Sequence, residues 1–270
     1  MNGFVHLKQS LKGVWKKMLS IALALLLFEL LFTLLAGSSN IKTEMLNDMT
    51  RAPEAARKVL GEGFMEAVVK YGIVAFGFIH PFMFALFIFY ILAVFWQVLT
   101  SEISSGSIGF TLSRPISRKT VFFNAAVLVY AGLAFLGAVT VLTAAGGILV
   151  FMDSNLSVTP FISLGWNLYL LMVFIAGYIA LFCSFSDTGK KFFTYSSIFL
   201  FLFYIIDLAA KLWKPLEILS PVNPFSYYNP MKLLIGSRIA FSQSLVILAV
   251  SGIMFWAAAI IFNRRDLPSG

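Results

Sequence analysis

Charged residues are scarce in this chain of 270 residues, and their scarcity limits what kind of protein it can be. Only 12% of the residues are Asp, Glu, Lys or Arg, whereas 60% are apolar and 16% are aromatic. A typical soluble domain has about 25% charged and about 45–50% apolar residues. A soluble chain of this composition would expose larger apolar patches than soluble monomers carry. The composition therefore excludes a soluble globular protein and predicts one that lies in lipid.

Side chains suited to metal binding or nucleophilic catalysis are also few. Cys183 is the only cysteine, so an internal disulfide and a multi-cysteine metal site are excluded. The two histidines, His6 and His80, lie far apart and outside any His-Glu-x-x-His pattern, which argues against a metal-dependent protease. No Gly-rich phosphate loop ending in Lys-Ser or Lys-Thr is present. We therefore expect no metal site, no catalytic residue and no ATP site in this chain.

Long apolar runs, in contrast, are abundant. A helix of about 20 apolar residues crosses the hydrocarbon core of a bilayer, which is about 30 Å thick. Six such runs predict an all-α, polytopic membrane protein that forms a single transmembrane domain over residues 1–270. The predicted spans are 18–36, 72–99, 121–151, 162–185, 192–212 and 245–262. Pro81 predicts a kink in the long second span, and the charged N-terminus does not fit a cleavable signal peptide.

Lysine and arginine are unevenly distributed among the segments that connect these spans. If the N-terminus lies inside, the inner segments hold eleven Lys and Arg against three Asp and Glu, which equals the net charge of +8. Cytoplasmic loops of membrane proteins are rich in Lys and Arg, and the inner leaflet is anionic. The distribution predicts that both termini are cytoplasmic, and it explains the basic charge without nucleic acid as a partner.

Four segments lie outside the predicted spans. Residues 1–17 place apolar and lysine side chains on different helical faces, which predicts an amphipathic interface helix that is either an anchor or a docking site for a partner. Residues 37–70 are predicted to form an extracellular cap, and residues 101–120 a cytoplasmic loop. Residues 213–242 contain four prolines among apolar residues, which predicts re-entrant helices in the outer leaflet.

The loop at 101–120 carries the most specific motif of the chain. A glutamate is followed by glycine and a small polar residue, then by apolar residues, and the motif ends in proline, a β-branched residue, serine and arginine. Its residues are Glu102, Gly106, Ser107, Ile108, Phe110, Leu112, Ser113, Pro115, Ile116, Ser117 and Arg118. The pattern resembles the first cytoplasmic loop of permease subunits of ABC-2 type transporters. The chain departs from it at Ser104 and Gly109, where that family often has acidic residues.

The resemblance implies a coupling helix that rests on a separate cytoplasmic ATPase subunit. The implied contact residues are Glu102, Gly106, Ser107, Ile108, Phe110, Leu112, Pro115 and Arg118. It also implies a second permease copy or paralogue, membrane lipid around both, and a location in the plasma membrane of a prokaryote. ATP and Mg²⁺ would be held by the partner ATPase. This chain would then be no enzyme but one part of an exporter of hydrophobic or amphipathic cargo, such as a peptide, toxin, drug or lipid-linked molecule.

Seven residues are candidates for the translocation pathway or its gate. They are Glu29, Phe199, Phe203, Asp207, Lys211, Tyr227 and Tyr228. An ionisable group inside a span, such as Glu29, is costly and often functional, although a buried neutral glutamate is an equal alternative. Asp207 and Lys211 are spaced to pair on one helical face, as a structural ion pair or as a gate. The aromatic residues fit either an apolar route or surfaces that face lipid.

Two further functional classes remain open at this stage. A membrane-embedded enzyme acting on lipids or peptides is the first alternative, and a self-contained channel is the second. An enzyme should place several polar residues at similar depth in different spans, whereas these spans contain only isolated ones. The sequence therefore favours a transporter subunit.

Overall fold

The computed structural model describes residues 3–37, 44, 47–48, 51, 53–60, 63–106, 116–152, 156–239 and 241–265, with only the backbone of 56 and 57. Within these ranges, the long regular elements are all helical. The α-helices are α1 (Gly3–Ala36), α2 (Glu54–Leu60), α3 (Phe64–Tyr71), α4 (Val74–Gly77), α5 (Pro81–Phe95), α6 (Ser101–Ser104), α7 (Arg118–Phe151), α8 (Thr159–Phe185), α9 (Gly189–Leu212), α10 (Pro230–Leu234) and α11 (Phe241–Arg264). A π-helical turn (Trp96–Thr100) joins α5 to α6, and two 3₁₀ segments (Lys214–Val222 and Pro224–Tyr227) precede α10.

Six helices are long and apolar enough to cross a membrane. They are α1, α5 with its continuation to Ser104, α7, α8, α9 and α11. All six predicted spans are thus confirmed as helices of spanning length, as expected of a multi-pass membrane protein. Helix α8 is the most enclosed, since 72% of its most apolar stretch is buried, against 22% in α9 and in α11. The bundle is therefore built around α8, and α9 and α11 expose most of their surface.

The first span differs from its prediction. The sequence predicts an interface helix over 1–17 that turns into a span at Met18, whereas α1 runs without interruption through this boundary. Neither glycine nor proline occurs between Val14 and Met18 to break the helix. In addition, the Lys17 ammonium donates a hydrogen bond of 2.6 Å to the Gln97 side chain beyond α5. The structure therefore has one long helix where the sequence predicts two.

The second span also begins later than predicted, at Pro81 instead of Gly72. Residues 72–80 form α4 and tight turns, and His80 has the extended backbone (ψ 129°) usual before proline. Pro81 occupies the first turn of α5, where a missing N–H removes no helical hydrogen bond. The kink predicted at this proline is therefore wrong, because the proline starts the helix instead of interrupting it.

Helices α1 and α7 pack in parallel along their whole length. Near their starts, the Asn124 amide donates a 3.0 Å hydrogen bond to the backbone oxygen of Gly3. Near their ends, Gly147 lies so close to Thr33 that a Cβ there would come within 2.5 Å of its hydroxyl oxygen. Glycine at this position lets the two backbones approach closely. Helices α8 and α11 form a second parallel pair, joined at their starts by a 3.2 Å hydrogen bond between Trp166 and Ser244.

The far end of the bundle, opposite Gly3 and Arg265, is covered by short helices. Helix α4 is almost fully buried there, whereas α3 buries only one face; both contact α10, while α2 lies against α9. The first 3₁₀ segment has no buried residue, whereas the second 3₁₀ segment and α10 contribute to the core. These elements correspond to the predicted cap and the proline-rich segment.

Candidate functional site

A cavity of about 230 Å³ lies at the far end, between α5, α9 and the short helices. Its walls are mostly apolar, with contributions from Phe76, Phe84 and Phe225. Asp207, Lys211, Tyr228 and Lys232 bring polar groups to the same space. Few polar groups in an apolar concavity are typical of small-molecule sites. We call this space the far-end cavity.

The predicted pair between Asp207 and Lys211 is present. The Lys211 ammonium lies 2.8 Å from the Asp207 carboxylate, one helical turn apart on α9. The Asp207 side chain is 9% exposed and that of Lys211 is 39% exposed. The carboxylate is therefore held inside the bundle while the ammonium reaches the cavity. The geometry confirms the ion pair, and its use as a gate stays a prediction.

Hydrogen bonds from Asn167 fix the turn that carries Tyr228 and so place this tyrosine in the cavity wall. The Asn167 side chain, buried in α8, donates to the Tyr227 backbone oxygen (3.0 Å) and accepts from the Asn229 amide (3.1 Å). The Tyr228 hydroxyl then donates a 2.9 Å hydrogen bond to the Phe78 backbone oxygen. Burial, with a smaller contribution from the nearby Glu29, raises the pKa of Tyr228 well above its usual value. Tyr228 therefore acts as a neutral hydrogen-bond donor that ties the two outer segments together.

Glu29 lies behind this wall, fully buried in α1. Among the described residues, neither carboxyl oxygen has a hydrogen-bond partner. Gly77 lies directly against it, since a Cβ on Gly77 would be 3.3 Å from Oε2. A buried carboxyl without hydrogen-bond partners is costly, and both Glu29 oxygens lack one among the described residues. Its position beside Tyr228 places it next to the far-end cavity but not in its lining.

A second, more open space of about 380 Å³ runs down between α5 and α9. It is lined by Ala85, Ile88 and Leu92 on α5 and by Ser197 and Phe201 on α9. We call it the α5–α9 groove. The groove shares four lining residues with the far-end cavity, namely Pro81, Phe84, Tyr204 and Phe225. The two spaces are therefore neighbours, and the Phe225 ring, which packs against Phe84 and Tyr204, belongs to the wall that they share.

Three predicted pathway residues lie elsewhere. Phe199 and Phe203 pack against Tyr178 of α8, with ring centroids 6.3 and 5.0 Å from it. The Tyr227 hydroxyl donates to the Pro221 backbone oxygen at 2.8 Å and stabilises the turn between the 3₁₀ segments. In the structure, these three side chains hold helices and turns together. They are not part of the cavity or the groove.

Sequence reasoning missed the residues that line the groove. On α9 they are Ser197, Leu200, Phe201 and Tyr204, and Asp207 and Lys211 continue the same line into the cavity. The spacing of three and four residues is that of a single helical face. This periodicity could have separated Phe201, which lines the groove, from the packed Phe199. The α5 side offers no such signal, because nearly all its residues are apolar.

The motif loop joins the opposite end of the bundle. Its first part is described: Glu102 lies on α6, and Gly106 ends this helix with a φ of +72°, a conformation that favours glycine. The π-helical turn immediately before α6 was not predicted. Such turns are rare and are frequently found at functional sites. The predicted contact residues Ser107, Ile108, Phe110, Leu112 and Pro115 lie outside the described residues.

Arg118, the last residue of the motif, is the first residue of α7 and is held at the end of α11. Its guanidinium donates a 2.8 Å hydrogen bond to the backbone oxygen of Arg265. The Arg265 guanidinium in turn donates to the backbone oxygens of Ser184 and Ser186, both at 3.0 Å, and to the Asp187 carboxylate at 2.7 Å. We call these contacts the arginine clamp. The clamp connects the start of α7, the end of α11 and the turn between α8 and α9.

The part of the chain that the structure describes contains no cluster of three His, Cys, Asp or Glu side chains able to hold a metal ion. Cys183 is buried, and its sulfur lies 3.3 Å from the Thr100 hydroxyl. The His80 ring accepts a 3.2 Å hydrogen bond from the Phe82 amide and caps α5. These side chains are thus used for packing and capping.

No protein-family model matches this chain, and a search of curated protein sequences also gives no match.

Proposed function

We propose that this chain is the membrane-spanning permease subunit of an ABC-2 type exporter. One observation supports it most: the motif loop connects two spans at the end of the bundle where Glu102 and Arg118 are anchored on α6 and α7. A loop that transmits a movement of the ATPase to the membrane spans must be continuous with rigid helices. The motif lies at such a place.

The coupling step would use the loop as a lever. An apolar ridge of Ile108, Phe110 and Leu112 suits burial in a groove of the ATPase, while Glu102 and Arg118 suit charges at its rim. When two ATPase subunits close around ATP and Mg²⁺, the movement would pass into the second and third spans. The arginine clamp would carry it further, because Arg118 is joined through Arg265 to α8, α9 and α11.

The transport route would need a second copy or a paralogue of this chain. Most of the surface of α1, α9 and α11 is exposed, since only 28%, 22% and 22% of their most apolar stretches are buried. Such faces suit contact with lipid or with another permease. Hydrophobic or amphipathic cargo would cross between the two chains, from a cytoplasmic side that carries both termini to the far end, in a prokaryotic plasma membrane.

The first test is purification of the tagged chain from its native membranes in a mild detergent. We expect a co-purifying subunit that carries an ATP-binding phosphate loop, and an ATPase turnover that depends on the membrane chain. Recovery of the folded chain without any such subunit, or a turnover indifferent to the membrane chain, would contradict the proposal.

The second test uses that ATPase with the double variant Glu102→Ala/Phe110→Ala. We expect association to weaken by about tenfold or more, since an aromatic anchor and a rim charge are both lost. A matched control is Glu217→Ala/Phe241→Ala, which removes the same residue types at the far end, where both are exposed. Equal association of the two double variants would rule out the coupling loop.

A further inference from the structure

We propose that the first half of α1 binds the head groups of anionic phospholipids through Lys8, Lys12 and Lys16. The contact lies at the near end of the bundle, the end opposite the far end. It goes beyond the proposed function, because it is a property of this chain alone and needs no ATPase. Of the two roles that the sequence leaves open for residues 1–17, it favours the anchor over the docking site for a protein partner.

The three lysines form a positive stripe on α1, which we call the lysine stripe. Their spacing of four residues places them on one face of the helix, and all three are exposed. Among the described residues, none of the three ammonium groups has an ion-pair or hydrogen-bond partner. The only acidic residue of α1 is the buried Glu29. The stripe therefore carries positive charge that no described acidic group neutralises.

Exposed apolar side chains lie beside the lysine stripe, between it and the buried face of α1. At about 100° per residue, Leu11, Phe4 and Trp15 follow one another on this flank, and their exposed fractions are 43%, 74% and 42%. His6 and Val14 mark the buried face. Apolar side chains next to lysines are typical of a helix at a membrane interface, where the apolar groups enter the acyl region and the ammonium groups reach the head groups.

The lysine stripe continues without a break into a surface that suits hydrocarbon. Past the last lysine, the same side of α1 carries Leu19, Leu23 and Leu26, which are 44%, 57% and 38% exposed. Because α1 is one uninterrupted helix, a side that faces lipid at these leucines also faces lipid one or two turns earlier. The change from lysine to leucine between Lys16 and Leu19 therefore marks the boundary between head groups and hydrocarbon.

Neighbouring helices place the lysine stripe at the near end. Before the stripe, Gly3 lies against the first turn of α7, since a Cβ on Gly3 would be 2.7 Å from the Thr120 side chain. After the stripe, the Lys17 ammonium is bonded to Gln97, which belongs to the π-helical turn that follows α5. The stripe therefore lies where α7 begins and α5 ends, at the level expected for head groups.

An anionic head group fits the lysine stripe better than a zwitterionic one. Lipid surfaces with a net negative charge attract clusters of basic residues. In phosphatidylcholine, the positive choline group cancels much of the attraction of the phosphate for the ammonium groups. Because the charges on both sides are exposed to water, the attraction weakens as the salt concentration rises.

The contact can be tested by fluorescence quenching of the full-length chain in bilayers of phosphatidylcholine. The bilayers contain a small share of brominated phosphatidylglycerol or, separately, of brominated phosphatidylcholine, whose bromine quenches nearby tryptophans. The signal of Trp15 is the difference between the chain and Trp15→Phe. We expect phosphatidylglycerol to associate at Trp15 about fivefold more strongly than phosphatidylcholine, and a salt concentration of about 1 M to remove this preference. Equal association of the two lipids, or a preference unchanged by salt, would overturn the proposal.

A triple variant tests whether the lysine stripe is the cause of the preference. In Lys8→Gln/Lys12→Gln/Lys16→Gln, the association ratio of the two lipids at Trp15 should fall to about one, because the charge is lost while the helix surface is kept. The matched control should keep the ratio of the unmodified chain. It replaces three exposed lysines of the far end: Lys58→Gln, Lys70→Gln and Lys214→Gln. A preference that persists without the stripe, or that both triple variants lose equally, would overturn the proposal.

The outcomes separate this inference from the proposed function. A lipid preference that depends on the lysine stripe supports it, whether or not an ATPase co-purifies with the chain. If the unmodified chain shows no lipid preference and the stripe variant loses a co-purifying ATPase, the stripe binds protein and this inference is overturned. A co-purifying ATPase that stays bound to the stripe variant, without any lipid preference, would leave the permease proposal intact and reject this one.

Discussion

The guanidinium of Arg118 holds the backbone oxygen of Arg265 at 2.8 Å, across 147 residues of sequence. Through this contact the start of α7 and the end of α11 are fixed to each other. Arg265 then uses its own guanidinium to hold the turn after α8. The side chain of Arg265 is only 11% exposed. Loss of this one residue should therefore loosen three chain segments at once.

Arg265→Ala should lower the free energy of unfolding by about 2 kcal/mol, because hydrogen bonds from a guanidinium to two backbone oxygens and a carboxylate are lost. Thermal unfolding in detergent measures the effect, and hydrogen exchange at residues 184–188 should increase. Arg265→Lys should restore little, since an ammonium cannot reproduce the planar fork. The control is Arg264→Ala on an exposed neighbour; an equal effect there would contradict the clamp.

The ion pair in the cavity wall predicts an asymmetric response. Lys211→Met leaves the Asp207 carboxylate buried without its cation and should destabilise the chain by about 2 kcal/mol. Asp207→Asn leaves only a half-exposed ammonium and should cost less than half of that. The double variant should recover most of the stability lost in Lys211→Met. Thermal unfolding of the three variants measures this coupling, and strictly additive effects would show that the pair contributes nothing.

Two buried glycines on α7 predict opposite effects of the same substitution. A Cβ at Gly132 would collide with the Tyr90 hydroxyl, which donates a 2.7 Å hydrogen bond to the Leu128 backbone oxygen. A Cβ at Gly137 would meet no described atom within 4 Å. Gly132→Ala should destabilise by about 1–3 kcal/mol, whereas Gly137→Ala should stabilise by up to about 1 kcal/mol. Melting temperatures that move in the same direction would contradict the packing around Tyr90.

Glu29 should be dispensable for folding. Glu29→Met replaces a buried carboxyl that lacks partners among the described residues with an apolar side chain of similar length. We expect the free energy of unfolding to rise by about 1–3 kcal/mol. Leu26→Met, on an exposed part of the same helix, should have almost no effect. A lower melting temperature for Glu29→Met would show that the carboxyl has a stabilising contact beyond those described.

The six spans could be predicted because crossing a bilayer imposes both a length and a composition. The start of the second span could not, because the residues from Gly72 to His80 are as apolar as a true span. Apolar composition does not distinguish a short helix buried against protein from a helix in lipid. The single helix across Lys17 differs from the prediction for the opposite reason: the charged residues predict a boundary, although the helical backbone continues through them.

The candidate site was predictable only within one helix. The pairing of Asp207 with Lys211 follows from their spacing, which is local information. The approach of Tyr228 to Glu29 depends on Asn167, which fixes a turn from a distant helix. Contacts of this kind depend on tertiary packing, and nothing in the local sequence of either partner encodes them.

The beginning of α5 has a consequence for what can pass beside it. The first amide hydrogens of a helix normally have no acceptor within the helix, so its first turn is unfavourable next to hydrocarbon. Here Pro81 has no such hydrogen, the Phe82 amide is satisfied by the His80 ring, and the Met83 amide by the His80 backbone oxygen. Pro81 borders both the far-end cavity and the α5–α9 groove. The backbone at this border therefore has no free amide hydrogen. An apolar group at this place therefore meets no unsatisfied backbone amide of the first turn of α5.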